Sequence, residues 1–158
     1  MKRFLLLILI VSFSVSASEQ AITQYVYNTL ERAQANLDKG NIEAAEQIYY
    51  DNANYAWSSR SYDHFVILRT YAYFLISYDR NEEALKYLRQ ASLKRDMPPY
   101  DMFELNFTLG QVYYVNGDRE NAKKTLLKWV AIGEKNDLDL KPEGCLLYTS
   151  PSPRDRSL

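Results

Sequence analysis

From Ser18 to Lys135 the apolar residues recur at intervals of three and four rather than two. That spacing places them on one face of a helix and rules out alternating strands. Prolines interrupt this stretch only at Pro98 and Pro99. Polar breaks fall at Asp38-Lys39-Gly40-Asn41, Ser58-Ser59-Arg60-Ser61, Ser77 to Asn81, Asp96 to Pro99 and Asn116-Gly117-Asp118. They cut the chain into six predicted helices of roughly 13 to 19 residues each. Gly40 and Gly117 suit the left-handed position that closes a helix, Pro99 suits a first turn, and Asn, Asp or Ser can cap the helix that follows.

The breaks repeat. Gly40-Asn-Ile-Glu-Ala-Ala45, Asp79-Arg-Asn-Glu-Glu-Ala84 and Gly117-Asp-Arg-Glu-Asn-Ala122 align, with their alanines 39 and 38 residues apart. Upstream, Ala33, Ala72 and Gly110 take equivalent small positions. Two antiparallel helices joined by a tight turn approach closely only where the crossing point lacks bulk, so these six residues are the expected seams.

This pattern resembles the tetratricopeptide repeat (TPR), with a small residue midway along the first helix of each pair, the A helix, and an alanine where the second, the B helix, crosses it. It departs from that family in a period longer than the roughly 34 residues usual there, in Asp79 at the turn glycine, and in a first unit that lacks the family's tryptophan or tyrosine ladder along its A helix. The resemblance implies an all-α fold of antiparallel helical hairpins stacked as a short right-handed solenoid. Its hairpins are expected over residues 19–57, 61–94 and 99–135, within a repeat region 18–136. A non-repetitive six-helix bundle is the competing architecture.

The ends read differently. Lys2 and Arg3, the apolar Phe4 to Val11 and the small or branched Val15-Ser16-Ala17 make residues 1–17 a signal peptide cut after Ala17. Its apolar run is about a dozen residues, short of the roughly 20 that a permanent spanning helix needs. No cysteine stands at the cleavage site, which argues against a lipoprotein. Residues 137–144 read as the start of a further unit. Residues 145–158, opening Cys-Leu-Leu-Tyr-Thr-Ser-Pro-Ser-Pro-Arg-Asp, resemble one translated frame of a transposase mosaic-end adapter and are expected to be non-native.

Charge narrows the function. Residues 18–144 exclude Lys2, Arg3, Arg154, Arg156 and Asp155, which leaves 15 of the 19 basic and 19 of the 20 acidic side chains, a net charge of −4. Phosphate binding needs clustered Lys and Arg, so nucleic acid is not an expected partner. His64 is the only histidine, and the only cysteine, Cys145, lies in the terminal stretch. Paired imidazole ligands for a metal are therefore absent, and a hydrolase triad would hang on His64 alone. At a helix start beside Asp63, His64 reads as a solvated terminal residue. Glu43 and Glu82-Glu83 read as charges favouring the positive end of a helix dipole. No enzyme activity, cofactor or metal is expected.

The 14 tyrosines are more suggestive. In Tyr49-Tyr50, Tyr73-Phe74 and Tyr113-Tyr114 one residue of each pair is expected to face inward and the other outward, most of them as packing between units. Lys86, Arg89, Lys94-Arg95 and Lys123-Lys124 with Lys128 read as solvated B-helix faces. In tetratricopeptide solenoids the A helices form the concave surface, which points to Tyr27, Gln34, Arg69, Tyr73, Phe107, Gln111 and Tyr114 as groove residues for an extended peptide. Aromatic faces there would bury apolar side chains, amides would bond the peptide backbone, and Arg69 would fork onto a carboxylate.

Taken as a whole, Tyr25 to Glu134 resembles the periplasmic branch of the family associated with TonB, ExbB and ExbD type energy transduction in Gram-negative bacteria. The pattern is Leu30-Glu-Arg-Ala-Gln with Gly40-Asn-Ile-Glu-Ala-Ala, Arg69-Thr-Tyr-Ala-Tyr-Phe before Glu83-Ala-Leu-Lys-Tyr-Leu, and Leu109-Gly-Gln-Val-Tyr-Tyr before Ala122-Lys-Lys-Thr-Leu-Leu-Lys-Trp. That resemblance implies a periplasmic scaffold that binds protein or peptide segments and meets the membrane only through envelope protein complexes. Other readings are a scaffold for envelope or cell-wall assembly, the repeat region of an enzyme whose catalytic domain lies beyond Gly144, and an oligomerisation module acting through Trp129 and the last hairpin. If a further repeat normally covers it, the last B helix would expose Leu126, Leu127, Trp129, Val130 and Ile132 and leave residues 18–144 marginally soluble.

Overall fold

The computed structural model describes residues 20–140, so the expected signal peptide, residues 141–144 and the terminal stretch 145–158 lie outside the described residues. Among the described residues the fold is all-α. Its six helices are α1 (Gln24–Asp38), α2 (Ile42–Ala53), α3 (Tyr62–Ser77), α4 (Asn81–Ser92), α5 (Pro99–Val115) and α6 (Arg119–Asn136). Each packs on its neighbours in sequence, and α1 also meets α3. The result is three antiparallel hairpins laid side by side in chain order, joined by linkers at 54–61 and 93–98.

The three hairpin turns are copies of one another. In each, the second residue past the helix is left-handed, namely Gly40 (φ 77°), Asp79 (φ 58°) and Gly117 (φ 80°). Its N–H and the next one return to the helix end: Gly40 to Leu37 and Asn41 to Asn36, Asp79 to Ile76 and Arg80 to Leu75, Gly117 to Tyr114 and Asp118 to Tyr113. This double bond is the Schellman closure, which satisfies carbonyls that a helix end leaves open. Side-chain caps start three helices: Thr23 accepts from the Val26 N–H, Ser61 from His64 and Asp118 from Asn121. Pro99 opens α5 as its spacing predicts.

The expected seams are buried. Ala33, Ala45, Ala72, Ala84 and Ala122 lie in the core. At Gly110 the approach is closest, since a Cβ there would stand 2.7 Å from the Leu126 side chain. One core runs through the first two hairpins and one face of α5, where Leu105, Leu109 and Val112 join it. A second, smaller core holds Phe103, Phe107, Leu126 and Trp129, with Leu138 and Leu140 folded over it.

This second core corrects the expectation for the last helix. Leu126 and Trp129 are fully buried, Val130 and Ile132 are partly covered beside Leu138 and Leu140, and Leu127 stays exposed. The chain reverses at Asp137 (φ 54°), whose successor Leu138 donates to the Gly133 carbonyl. That reversal carries Leu138 and Leu140 back against α5 and α6, so most of the anticipated apolar face is already occupied.

Candidate functional site

The A helices α1, α3 and α5 are fastened to one another near their starts by a repeated contact. Thr23 donates to Asp63 from both its backbone N–H (2.9 Å) and its hydroxyl (2.7 Å). The equivalent residue in the next unit, Tyr62, donates to Asp101 (2.9 Å). Arg69 adds a second, charge-assisted bond to Asp101 at 2.6 Å. With the A helices held in register, residues at equal offsets in the repeat line up as rows.

One such row is Gln34, Tyr73 and Gln111, spaced 39 and 38 positions like the alanine seams. Gln34 and Tyr73 are exposed and Gln111 is half-buried. Gln34 donates to Asp38 one turn on (2.8 Å). The Tyr73 hydroxyl lies 3.4 Å from Thr108 Oγ1 on α5, a long contact whose direction either hydroxyl can supply. Tyr27 is exposed on α1, and Tyr114 is half-buried with the Arg119 guanidinium 4.7 Å over its ring.

Two of the seven sequence-predicted groove residues fall elsewhere. Phe107 is buried in the second core, its ring centroid 5.2 Å from that of Trp129. Its position in α5 corresponds to Arg69 in α3, but here Trp129 of α6 packs against it. Arg69 is turned to Asp101 and also stands 5.3 Å over the Phe65 ring. A guanidinium with its own carboxylate partner is not held ready for the carboxylate of a ligand, so the anticipated fork is already made within the chain.

The aromatic pairs divide as expected in two of three cases. Tyr49 and Phe74 are buried while Tyr50 and Tyr73 are exposed, whereas Tyr113 and Tyr114 are both half-buried. A different aromatic group, which periodicity does not reveal, forms where the α2–α3 linker folds over the hairpin ends. Trp57 lies between Tyr25 (6.3 Å), Tyr55 (5.8 Å) and His64 (5.7 Å) and donates from Nε1 to the Asn52 carbonyl.

His64 is therefore buried rather than solvated, because that linker closes over the start of α3. Burial first, and then Lys94, push its pKa below the ordinary imidazole value, with the bond to Ala53 acting in the opposite sense. Lys94 also departs from the solvated face expected of it. It donates to the Ser58 carbonyl (3.0 Å), and burial lowers its pKa. Glu82 and Glu83 stand in the first turn of α4 as expected, and Glu83 also pairs with Arg80. The bonds it donates to Glu83 and Glu46 hold the Arg80 guanidinium firmly protonated. Around this turn Asp79, Arg80, Asn81, Glu82, Glu83 and Asn116 line an open polar depression of about 380 Å³.

Among the described residues no helix is long and apolar enough to cross a membrane. Comparison of the chain with protein-family models, curated proteins and solved structures gives no match.

Proposed function

We propose that this chain is a non-enzymatic binding scaffold of the TPR type, exported to the periplasm of a Gram-negative bacterium, which holds protein or peptide segments along its A helices. The observation that carries this reading is the row Gln34, Tyr73 and Gln111. One polar, hydrogen-bonding side chain on each A helix, in a fixed register, can follow an extended backbone step by step. Tyr27 and Tyr114 would add aromatic contact area beside it. The Thr23–Asp63 and Tyr62–Asp101 ties set the row before a ligand arrives, which lowers the ordering cost of binding. By resemblance, the segments held would belong to the TonB-type energy-transduction machinery, in an accessory role to TonB-dependent transport.

The test is site-specific photocrosslinking in the source cell, with the photoreactive residue at Tyr73 and, as a control, at Leu93, which is highly exposed beyond the end of α4. The expected result is capture of one envelope energy-transduction protein from position 73 and none from 93. Capture of cell-wall enzymes or outer-membrane assembly factors would favour an assembly scaffold instead. Equal capture from both positions would defeat the groove.

A further inference from the structure

His64 is the only histidine of the chain, and both of its ring nitrogens are engaged. Nε2 lies 2.9 Å from the Ala53 carbonyl at the end of α2. A carbonyl only accepts, so Nε2 must carry the hydrogen and donate. That assignment leaves Nδ1 with a lone pair, and the Lys94 ammonium stands 2.6 Å from it. The neutral ring thus accepts from a cation on one side and donates to a carbonyl on the other.

Those two partners belong to different parts of the chain. Lys94 lies on the α4–α5 linker and also holds the Ser58 carbonyl of the α2–α3 linker. Its neighbour Arg95 donates its backbone N–H to Ser59 at 3.1 Å. His64 is therefore the centre of a tie between the two linkers that space the hairpins. Several charged or titratable groups near it are turned to something else. Asp63, beside it on α3, accepts from Thr23. Arg60 and Asp96, one from each linker, pair with each other. Tyr25 of α1 and Tyr55 of the linker meet Trp57, and Trp57 meets the ring by stacking at 22°.

We propose that His64 is a protonation-operated latch between the two linkers. In its neutral form it accepts from Lys94 and the tie is closed. When Nδ1 takes up a proton from solvent, the lone pair is lost and an imidazolium stands against an ammonium, so the Lys94 side chain is expelled and the linkers part. Burial and the Lys94 charge both favour the closed, neutral state, in keeping with the lowered His64 pKa. The sign follows. The unfolded chain takes up this proton near pH 6.5 and the folded chain only at lower pH, so the stability held above about pH 6.5 is lost progressively as pH falls below it. The latch is independent of what the groove binds.

With a single histidine, ring resonances in the NMR spectrum of the labelled full chain report His64 without ambiguity. The expected midpoint lies below 6.5, and Lys94→Met, which keeps the stem and removes the charge, raises it. As pH falls through the same range, the protection factor of the Arg95 amide, its exchange rate relative to an unstructured amide at the same pH, should drop by about tenfold for each unit by which the midpoint lies below its ordinary value. His64→Gln should abolish that pH step. A midpoint at or above 6.5, a midpoint unmoved by Lys94→Met, or an Arg95 amide equally protected across the range would each overturn the latch. The wild-type chain and Lys94→Met suffice if the glutamine variant does not fold.

Discussion

Asp79 does the work of a glycine. The turns on either side of it in sequence place Gly40 and Gly117 in the left-handed conformation, where an L side chain costs roughly 1–2 kcal/mol, somewhat less for Asp. Asp79→Gly should therefore raise stability by about 0.5–1 kcal/mol, read as a higher urea midpoint with an unchanged slope. Gly110 is the reverse case. Alanine would gain about 1 kcal/mol of helix propensity there, but its Cβ would stand 2.7 Å from the side chain of Leu126, which is fully buried and has little room to move. Overpacking costs roughly 1–3 kcal/mol, so Gly110→Ala should be destabilising on balance, and a neutral or raised midpoint would show that Leu126 can give way. Both positions were legible in the sequence, because a repeat exposes a small residue or a missing glycine by comparison with its neighbours. His64 was not, since a histidine beside an aspartate at a helix start looks solvated unless the fold of the linker above it is known.

At the level of the helices, what orders the hairpins is a set of contacts of very different worth. Asp101 is largely buried and takes bonds from both Tyr62 and Arg69, whose side chain is also mostly covered. Arg60 and Asp96 form a pair at 3.1 Å that is about two-thirds exposed on each side, where solvent screens it. Asp101→Asn should therefore cost on the order of 2 kcal/mol, because it leaves a partly buried guanidinium without its charge partner. Arg60→Ala should change stability by less than about 0.5 kcal/mol. Denaturant unfolding of the two variants side by side decides the point, and equal losses would mean that the α3–α5 tie does not set the stacking. Helix number, turn positions and seams all followed from the apolar period and the breaks. The tie was present in the sequence only as two first-turn aspartates, Asp63 and Asp101, at the repeat spacing. Their partners emerge once α1, α3 and α5 lie together.

For the molecule as a whole, the second core takes one of the expected groove residues, Phe107, into the packing that holds the fold. Phe107 and Tyr73 both lie on A helices, and the tetratricopeptide resemblance places both in the groove. Periodicity could not separate them, because Phe107 is buried against Trp129 in a separate core that Leu138 and Leu140, returning after the left-handed Asp137, help to close. Phe107 packs on Trp129 in a core of few side chains, so Phe107→Ala should cost about 3–5 kcal/mol. Because the larger core runs through the first two hairpins, that loss should appear first as faster amide hydrogen exchange along α6, with α3 protected longest. Tyr73 is exposed and makes one long hydroxyl contact, so Tyr73→Ala should change stability by less than about 1 kcal/mol and should instead reduce affinity for whatever segment the row holds. If Phe107→Ala left the melting temperature and α6 protection intact, the second core would not be the brace described. If Tyr73→Ala unfolded the chain, the row would be a structural seam and the binding surface would have to lie on another face.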